Sequence, residues 1–306
     1  EIDQLVVLKN KLAQNLVILE KNLTTLAETM NAVLADFNKT IKTFNTAKEQ
    51  YASSKNAYDE DMKTDFTSMR LCMKEVSAKA GIHEYTGFLI LFICLSKSLK
   101  RYYQEAGYSE EIWFTSMCDL KYKLEECKEV HGIAGTFVPE WYGRFYSLMR
   151  FAFGKLQFEL VPFRREYAKN GVALNPDSRV INVHIPRTGT KLDRESMNAS
   201  YKMAAEFFKK ILGEEPVVFV CHSWLLYPRN KEVLSEKSNL YAFISDFDII
   251  EVEQYEDYKE VWRLFDVHYD GNVDHLPQNT SLRRAYADWI RKGEKTGCGY
   301  GVYAYR

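Results

Sequence analysis

Two short stretches carry residue types that do chemistry. The first runs Val183-His184-Ile185-Pro186, then Arg187-Thr188-Gly189-Thr190-Lys191, then Asp193-Arg194-Glu195-Ser196. Apolar alternation before it and a 3.6-residue apolar period after it (Met197, Tyr201, Ala204, Ala205, Phe208, Ile211, Leu212) predict a strand, a loop and a helix. Such a loop gathers unpaired backbone N–H groups and the positive helix end at one point, which suits a phosphate. Arg187 and Lys191 add charge, Thr188 and Thr190 add hydroxyls, and Gly189 lets a ligand approach the main chain. The same residues also fit a plain capped helix, with Asp193 as the N-cap and Ser196 three residues on. The local pattern leaves both open.

The second stretch is Cys221-His222-Ser223-Trp224, closing the apolar run Val217 to Leu226. Thiol, imidazole and hydroxyl are the groups of nucleophilic and acid–base catalysis. On a regular strand successive side chains point to opposite faces, so Cys221 and Ser223 share one face and His222 and Trp224 the other. A Cys–His pair therefore needs a partner from elsewhere, such as His184, His268 or His275. A lone buried cysteine is more often a small hydrophobe, which makes His222 the stronger acid–base candidate.

Metal chemistry has little support along the chain. The loop containing Asp266, His268, Asp270, Asp274 and His275 lacks the alternate-residue ligands and terminal Glu of an EF-hand. The six cysteines include no C-x-x-C pair. No metal is expected.

The elements that must position these residues fall into two grammars. No Gly or Pro precedes Gly81, and Leu5, Leu12, Leu16, Leu19, Leu23, Leu26, Met30, Val33, Phe37 and Phe44 follow a heptad rhythm. A long helical arm is expected, either folded back as a hairpin that reverses within Lys48 to Lys63 or paired with another chain, a self-association through the N-terminal helices. Helical pattern continues to about residue 153, including one helix from Ser109 to about Val130 and an aromatic stretch, Phe137 to Phe153, that reads as helix or loop. From Lys155 strands and helices interleave: strands at Leu156 to Leu160, Val180 to Ile185, Val217 to Leu226, across Tyr241 to Tyr255 and at Gly299 to Tyr305, with helices at Asp193 to Leu212, Tyr258 to Phe265 and Thr280 to Lys292. Glu166 to Asp177 reads as a loop. The expected fold is thus two-domain, α+β or α/β, with a heptad arm over 1–62, a helical domain over 63–160 and a mixed β-sheet with flanking helices over 161–306.

Composition excludes several classes. Forty-one basic against 42 acidic residues give a net charge of −1, so no global field favours nucleic acid. The set Arg283, Arg284, Arg291, Lys292 and Lys295 reads as a solvated helix face. The longest apolar run, Phe88 to Leu95, is far below the roughly 20 residues of a membrane span. Without a signal-peptide pattern or disulfide framework, a cytoplasmic protein is expected.

The stretches Trp113 to Phe137, Gly154 to Leu160, Val183 to Ser196, Cys221 to Pro228, Ser238 to Ile250 and Leu276 to Gly293 resemble a bacterial family described as acyltransferase domain-containing. Its members join an all-helical N-acyltransferase N-terminal domain to a GNAT-like C-terminal domain. The resemblance implies acyl transfer from acyl-CoA, acetyl or longer, to a small-molecule or peptide amine. It puts Arg187, Thr188, Gly189, Thr190 and Lys191 at the CoA pyrophosphate, although a GNAT loop reads Q/R-x-x-G-x-G/A and here only an Arg and a single Gly match. It places Val217 to Ser223 beside the thioester, with His222, Cys221 and Ser223 as candidate catalytic groups. Trp141, Tyr142, Phe145 and Trp224 are the aromatics expected to line a substrate pocket. Two other functions compete: a GNAT-like binding or scaffold protein without chemistry, and a Cys–His hydrolase.

Overall fold

The computed structural model describes residues 2–50, 70–189, 192–213 and 216–305. The chain forms two compact units: Glu1–Glu105 with Ile133–Ser147, and Ala106–Gly132 with Leu148–Arg306. In chain order the elements are helices α1 (Ile2–Gln50), α2 (Arg70–Ala80), α3 (Glu84–Glu105), α4 (Glu110–Met117), α5 (Asp119–His131) and α6 (Gly143–Tyr146). Strands β1 (Arg150–Phe153), β2 (Leu156–Pro162), β3 (Tyr167–Lys169), β4 (Val172–Leu174) and β5 (Arg179–His184) follow. The rest is α7 (Arg194–Leu212), β6 (Val217–Ser223), α8 (Asn239–Ser245), β7 (Asp248–Gln254), α9 (Trp262–Phe265), α10 (Ser281–Arg291) and β8 (Gly297–Tyr305). Among the described residues no single helix is long and apolar enough to cross a membrane.

The first unit packs around α3. Phe88, Leu91, Phe92, Leu95 and Leu99, at steps of three and four, form one buried stripe. The ring of Phe92 lies 4.4 Å from that of Tyr142, and the Tyr146 hydroxyl donates to the Phe92 carbonyl at 2.6 Å. In α1 the heptad leucines Leu5, Leu12, Leu16, Leu19 and Leu23 stand exposed. The expected reversal lies mostly outside the described residues.

The second unit holds a six-stranded sheet in the order β1-β2-β5-β6-β8-β7. Every neighbouring pair is antiparallel except β5 and β6, which run parallel and are joined across the sheet by α7. Alternation along the strands gives two faces. On one, Phe158 and Phe219 pack on Tyr201 of α7, with ring centroids 6.1 and 5.1 Å apart. On that face β8 carries Tyr303 and Tyr305 against Tyr201, but its first part is glycine: at Gly299 an added Cβ would sit 2.3 Å from the Leu226 carbonyl oxygen, and at Gly301 2.8 Å from Phe247. The turn after β6 therefore lies flat on the strand. Gly299→Ala is expected to cost about 1–3 kcal/mol in chemical denaturation, because the neighbour to be displaced is backbone.

Four expectations change. The aromatic stretch ends as β1, whose Phe151 sits across from Phe158, because hydrogen bonding to β2 and burial against α7 outweigh its helical rhythm. The expected loop Glu166 to Asp177 contains the β3–β4 hairpin, turning at Asn170 and Gly171, both at positive φ. The stretch Tyr241 to Tyr255 is a helix and then a strand, since the Ser238 hydroxyl accepts from the Tyr241 N–H at 3.1 Å and caps α8. The helix from Ser109 divides at Cys118 into α4 and α5.

Candidate active site

The parallel ladder between β5 and β6 covers only Ile181 with Phe219 and Asn182 with Val220. Both strands continue beyond it, β5 to His184 and β6 to Ser223, held by β2 and β8 on their outer sides. Their facing edges thus carry main-chain groups with no strand partner at the carboxyl ends of two parallel strands, the usual place for a ligand in such sheets. By alternation His184 and His222 end on the same face, the one opposite α7. A polar band crosses that face: Arg150, Gln157, Glu159, Asn182, His184 and His222.

The β2 side of this band is buried and charged. Arg150 donates to Glu159 through Nη2 at 2.5 Å and Nε at 3.1 Å, and both side chains are under 8% exposed. His184 Nε2 lies 2.9 Å from Glu159 Oε2. Burial, followed by the Arg150 charge, holds the His184 imidazole down at about 4 although Glu159 pulls the other way. His184 is therefore neutral near pH 7, and the contact fits Nε2–H donating to the carboxylate. Beside them Gln157 donates to Asp119 of α5 at 2.6 Å, and burial pushes the Asp119 carboxyl up. Asp119 Oδ2, Gln157 Oε1 and Asn182 Oδ1 are buried acceptors with no donor among the described residues.

The low value at His184 carries a sign. The unfolded chain takes up this proton at the ordinary histidine value and the folded chain only near 4, so acid favours unfolding. The contribution is complete above about pH 6.5 and is lost as pH falls toward about 4. An imidazole NMR titration should show His184 unmoved from pH 8 to about 5.5 and titrating only near 4; a midpoint near 6.5 would contradict the geometry.

Of the residues singled out from sequence, Cys221 and His222 diverge as alternation requires. Cys221 is fully buried, and burial pushes its thiol far above the ordinary cysteine value, leaving it un-ionised. His222 is exposed and its Nε2 lies 3.1 Å from Cys298 Sγ on β8. The Ser223 hydroxyl accepts from the Leu225 N–H at 3.2 Å and ends the strand. The histidines that a Cys221 or Ser223 dyad would recruit have other neighbours: His184 meets Glu159, His268 lies beside His131, and His275 meets Asp270 at 2.7 Å.

The loop expected to hold phosphate is partly occupied by the protein's own carboxylates. Arg187 pairs with Asp266 at 2.5 and 2.9 Å and also with Glu129 of α5. Asp266, from the acidic loop, also pairs with Arg283. Asp193 accepts from the Ser196 N–H at 2.8 Å, so a carboxylate already caps α7. Thr188 accepts from Lys155 Nζ at 3.5 Å, and Gly189 has φ of 72° with nothing within 4 Å of an added Cβ. Thr190 and Lys191 lie outside the described residues. Lys155, in the β1–β2 turn, is a loop-side cation that sequence reading missed.

Two of the four candidate pocket aromatics, Tyr142 and Phe145, are fully buried in the core of the helical unit, where ring packing accounts for them. Trp141 neighbours them in the turn before α6. Trp224 belongs to the other unit, edge-on to Tyr286 at 6.0 Å, beside a small cavity with Tyr255, Val261 and Leu264.

A family profile described as GNAT-like C-terminal domain matches residues 150–303, half of the chain. The chain belongs to this family. A second profile, N-acyltransferase N-terminal domain, matches residues 21–148, so the two-domain order implied by the resemblance is present. Solved structures of acyltransferases share the fold. One in complex with decanoyl-CoA is 22% identical with a TM-score of 0.61, over 76% of this chain and 68% of that one. Another, in complex with decanoyl-CoA and teicoplanin, is 21% identical with a TM-score of 0.60, over 73% and 67%. A mutant in complex with octanoyl-CoA matches equally. No curated protein matches by sequence.

Proposed function

We propose that this GNAT-like protein is an acyl-CoA-dependent N-acyltransferase whose thioester lies where β5 and β6 cease to pair. The observation that carries this reading is the early end of that ladder, with His184 at the end of β5 and His222 one residue before the end of β6 on the same face. Main-chain groups beyond the end of the β5–β6 ladder suit the extended amide-bearing arm of CoA and its thioester oxygen. The resemblance and the complexes of the similar structures, with decanoyl-CoA and octanoyl-CoA, support an acyl-CoA donor.

In this reading His222 is the general base. It takes a proton from the acceptor amine as the nitrogen attacks the thioester carbon; the C–N bond forms, the C–S bond breaks, and the departing CoA thiolate takes that proton from the imidazolium, which returns His222 to its neutral form. A main-chain N–H on the unpaired edge of β6 holds the oxyanion. His184, neutral and fixed by Glu159, lines the opposite strand end. Cys221 has no part, because it is un-ionised and faces α7. The CoA pyrophosphate must draw Arg187 from Asp266 and Glu129 or use Lys155 and the Gly189 main chain, so a modest affinity for the nucleotide end is expected.

The test is acceptor-dependent release of CoA. The full chain, with octanoyl- or decanoyl-CoA and a panel of primary amines, should release CoA and form an N-acyl product only when both amine and protein are present, by mass spectrometry. Release without amine would make the protein a hydrolase. No release with any pair would contradict the reading.

A further inference from the structure

His222, Glu253 and Cys298 come from three neighbouring strands, β6, β7 and β8, far apart in sequence. Register brings them together: Glu253 lies across from Cys298, and His222 across from Tyr300, two residues further along β8. His222 Nε2 is 3.1 Å from Cys298 Sγ, and that sulfur is 3.7 Å from Glu253 Oε2. One donor atom from each side chain lies within 4.8 Å of the other two. A tetrahedral zinc with its usual bonds places a sulfur and a nitrogen or oxygen donor about 3.5 Å apart, between the two gaps seen here.

The donor set selects the ion. Imidazole nitrogen, sulfur and one carboxylate oxygen suit a borderline-soft divalent metal, whereas calcium and magnesium take oxygen ligands. Cys298 is buried while His222 and Glu253 are exposed, so an ion reaches the site from solvent and a fourth position is left to water. A nucleophilic Cys–His pair is the poorer account: burial and the Glu253 carboxylate push the Cys298 thiol up, and an un-ionised thiol is a weak nucleophile.

We propose that His222, Glu253 and Cys298 form a binding site for a zinc-class divalent ion. On binding, the Cys298 thiol gives its proton to solvent, sulfur bonds the metal, and the imidazole nitrogen and the carboxylate complete three protein ligands. The expectation of no metal came from spacing along the chain, which cannot show ligands that three separate strands supply. The site stands on geometry alone. Its corollary, inhibition of acyl transfer, rests on the proposed function, because the metal occupies the imidazole that would act as base.

Cobalt(II) titration of the full chain tests the site, since a thiolate–cobalt bond gives an intense near-ultraviolet band. One equivalent should bind with that band and be displaced by zinc. Cys298→Ser should lose the band, Cys221→Ser should keep it, and Glu253→Gln, at an exposed position, should weaken binding by about tenfold or more while circular dichroism stays unchanged. No band in the native chain, a band that survives Cys298→Ser, or an unaltered affinity in Glu253→Gln would overturn the proposal. Bound zinc that leaves acyl transfer at full rate would overturn the role of His222 as base and not the site, so the two readings fail separately.

Discussion

His222→Gln is expected to lower kcat for acyl transfer by about 10²- to 10⁴-fold while leaving acyl-CoA affinity within roughly threefold of the native value. Glutamine keeps a polar side chain of similar reach but cannot take a proton from the attacking amine. The loss should therefore appear in the chemical step. His222 is exposed and, among the described residues, its hydrogen-bond neighbour is Cys298, so little packing is lost. Steady-state kinetics with calorimetric binding separates the alternatives: a raised KM at unchanged kcat would make His222 a binding residue.

Glu159→Ala is expected to cost about 3–5 kcal/mol of folding stability, the largest loss foreseen for a single polar change in the second unit. Glu159 is 5% exposed and holds both Arg150 and His184. Removing it takes the Glu159 carboxylate away from a buried guanidinium, so the desolvation of that charge is less well compensated. The neutral hydrophobic pair Arg150→Met with Glu159→Leu should recover most of the loss, since a buried ion pair contributes little over well-packed apolar residues. Denaturant midpoints for the single and double variants measure both. A Glu159→Ala loss below about 1 kcal/mol would show that water satisfies the cluster.

How much of this could be read from the chain differs by element. The strand–loop–helix around Arg187 was legible because periodicity changes from two to 3.6 across it, and α7 begins one residue from where Asp193 announces it. The divergence of Cys221 and His222 followed from alternation alone. What sequence could not show was pairing at a distance. Glu159 looked like an ordinary polar position of an alternating strand, and its role appears only when β1, β2 and β5 bring Arg150 and His184 to it. Cys298 resembled any small residue in the run 297–301, yet β6 and β7 place an imidazole and a carboxylate beside it. Arg187 read as a phosphate ligand because it sits in a loop between a strand and a helix; the Asp266 carboxylate that pairs with it arrives from 79 residues away. The β1 strand was hidden by aromatic residues whose spacing also suits a helix.

The central claim is that the end of the β5–β6 ladder receives an acyl-CoA. Isothermal titration of the full chain with decanoyl-CoA, repeated at several temperatures, tests it most directly. One site per chain is expected, with a negative heat-capacity change from burial of the acyl chain and tighter binding than CoA alone. Absence of heat together with absence of a thermal shift, for decanoyl-CoA and for CoA, would contradict the account.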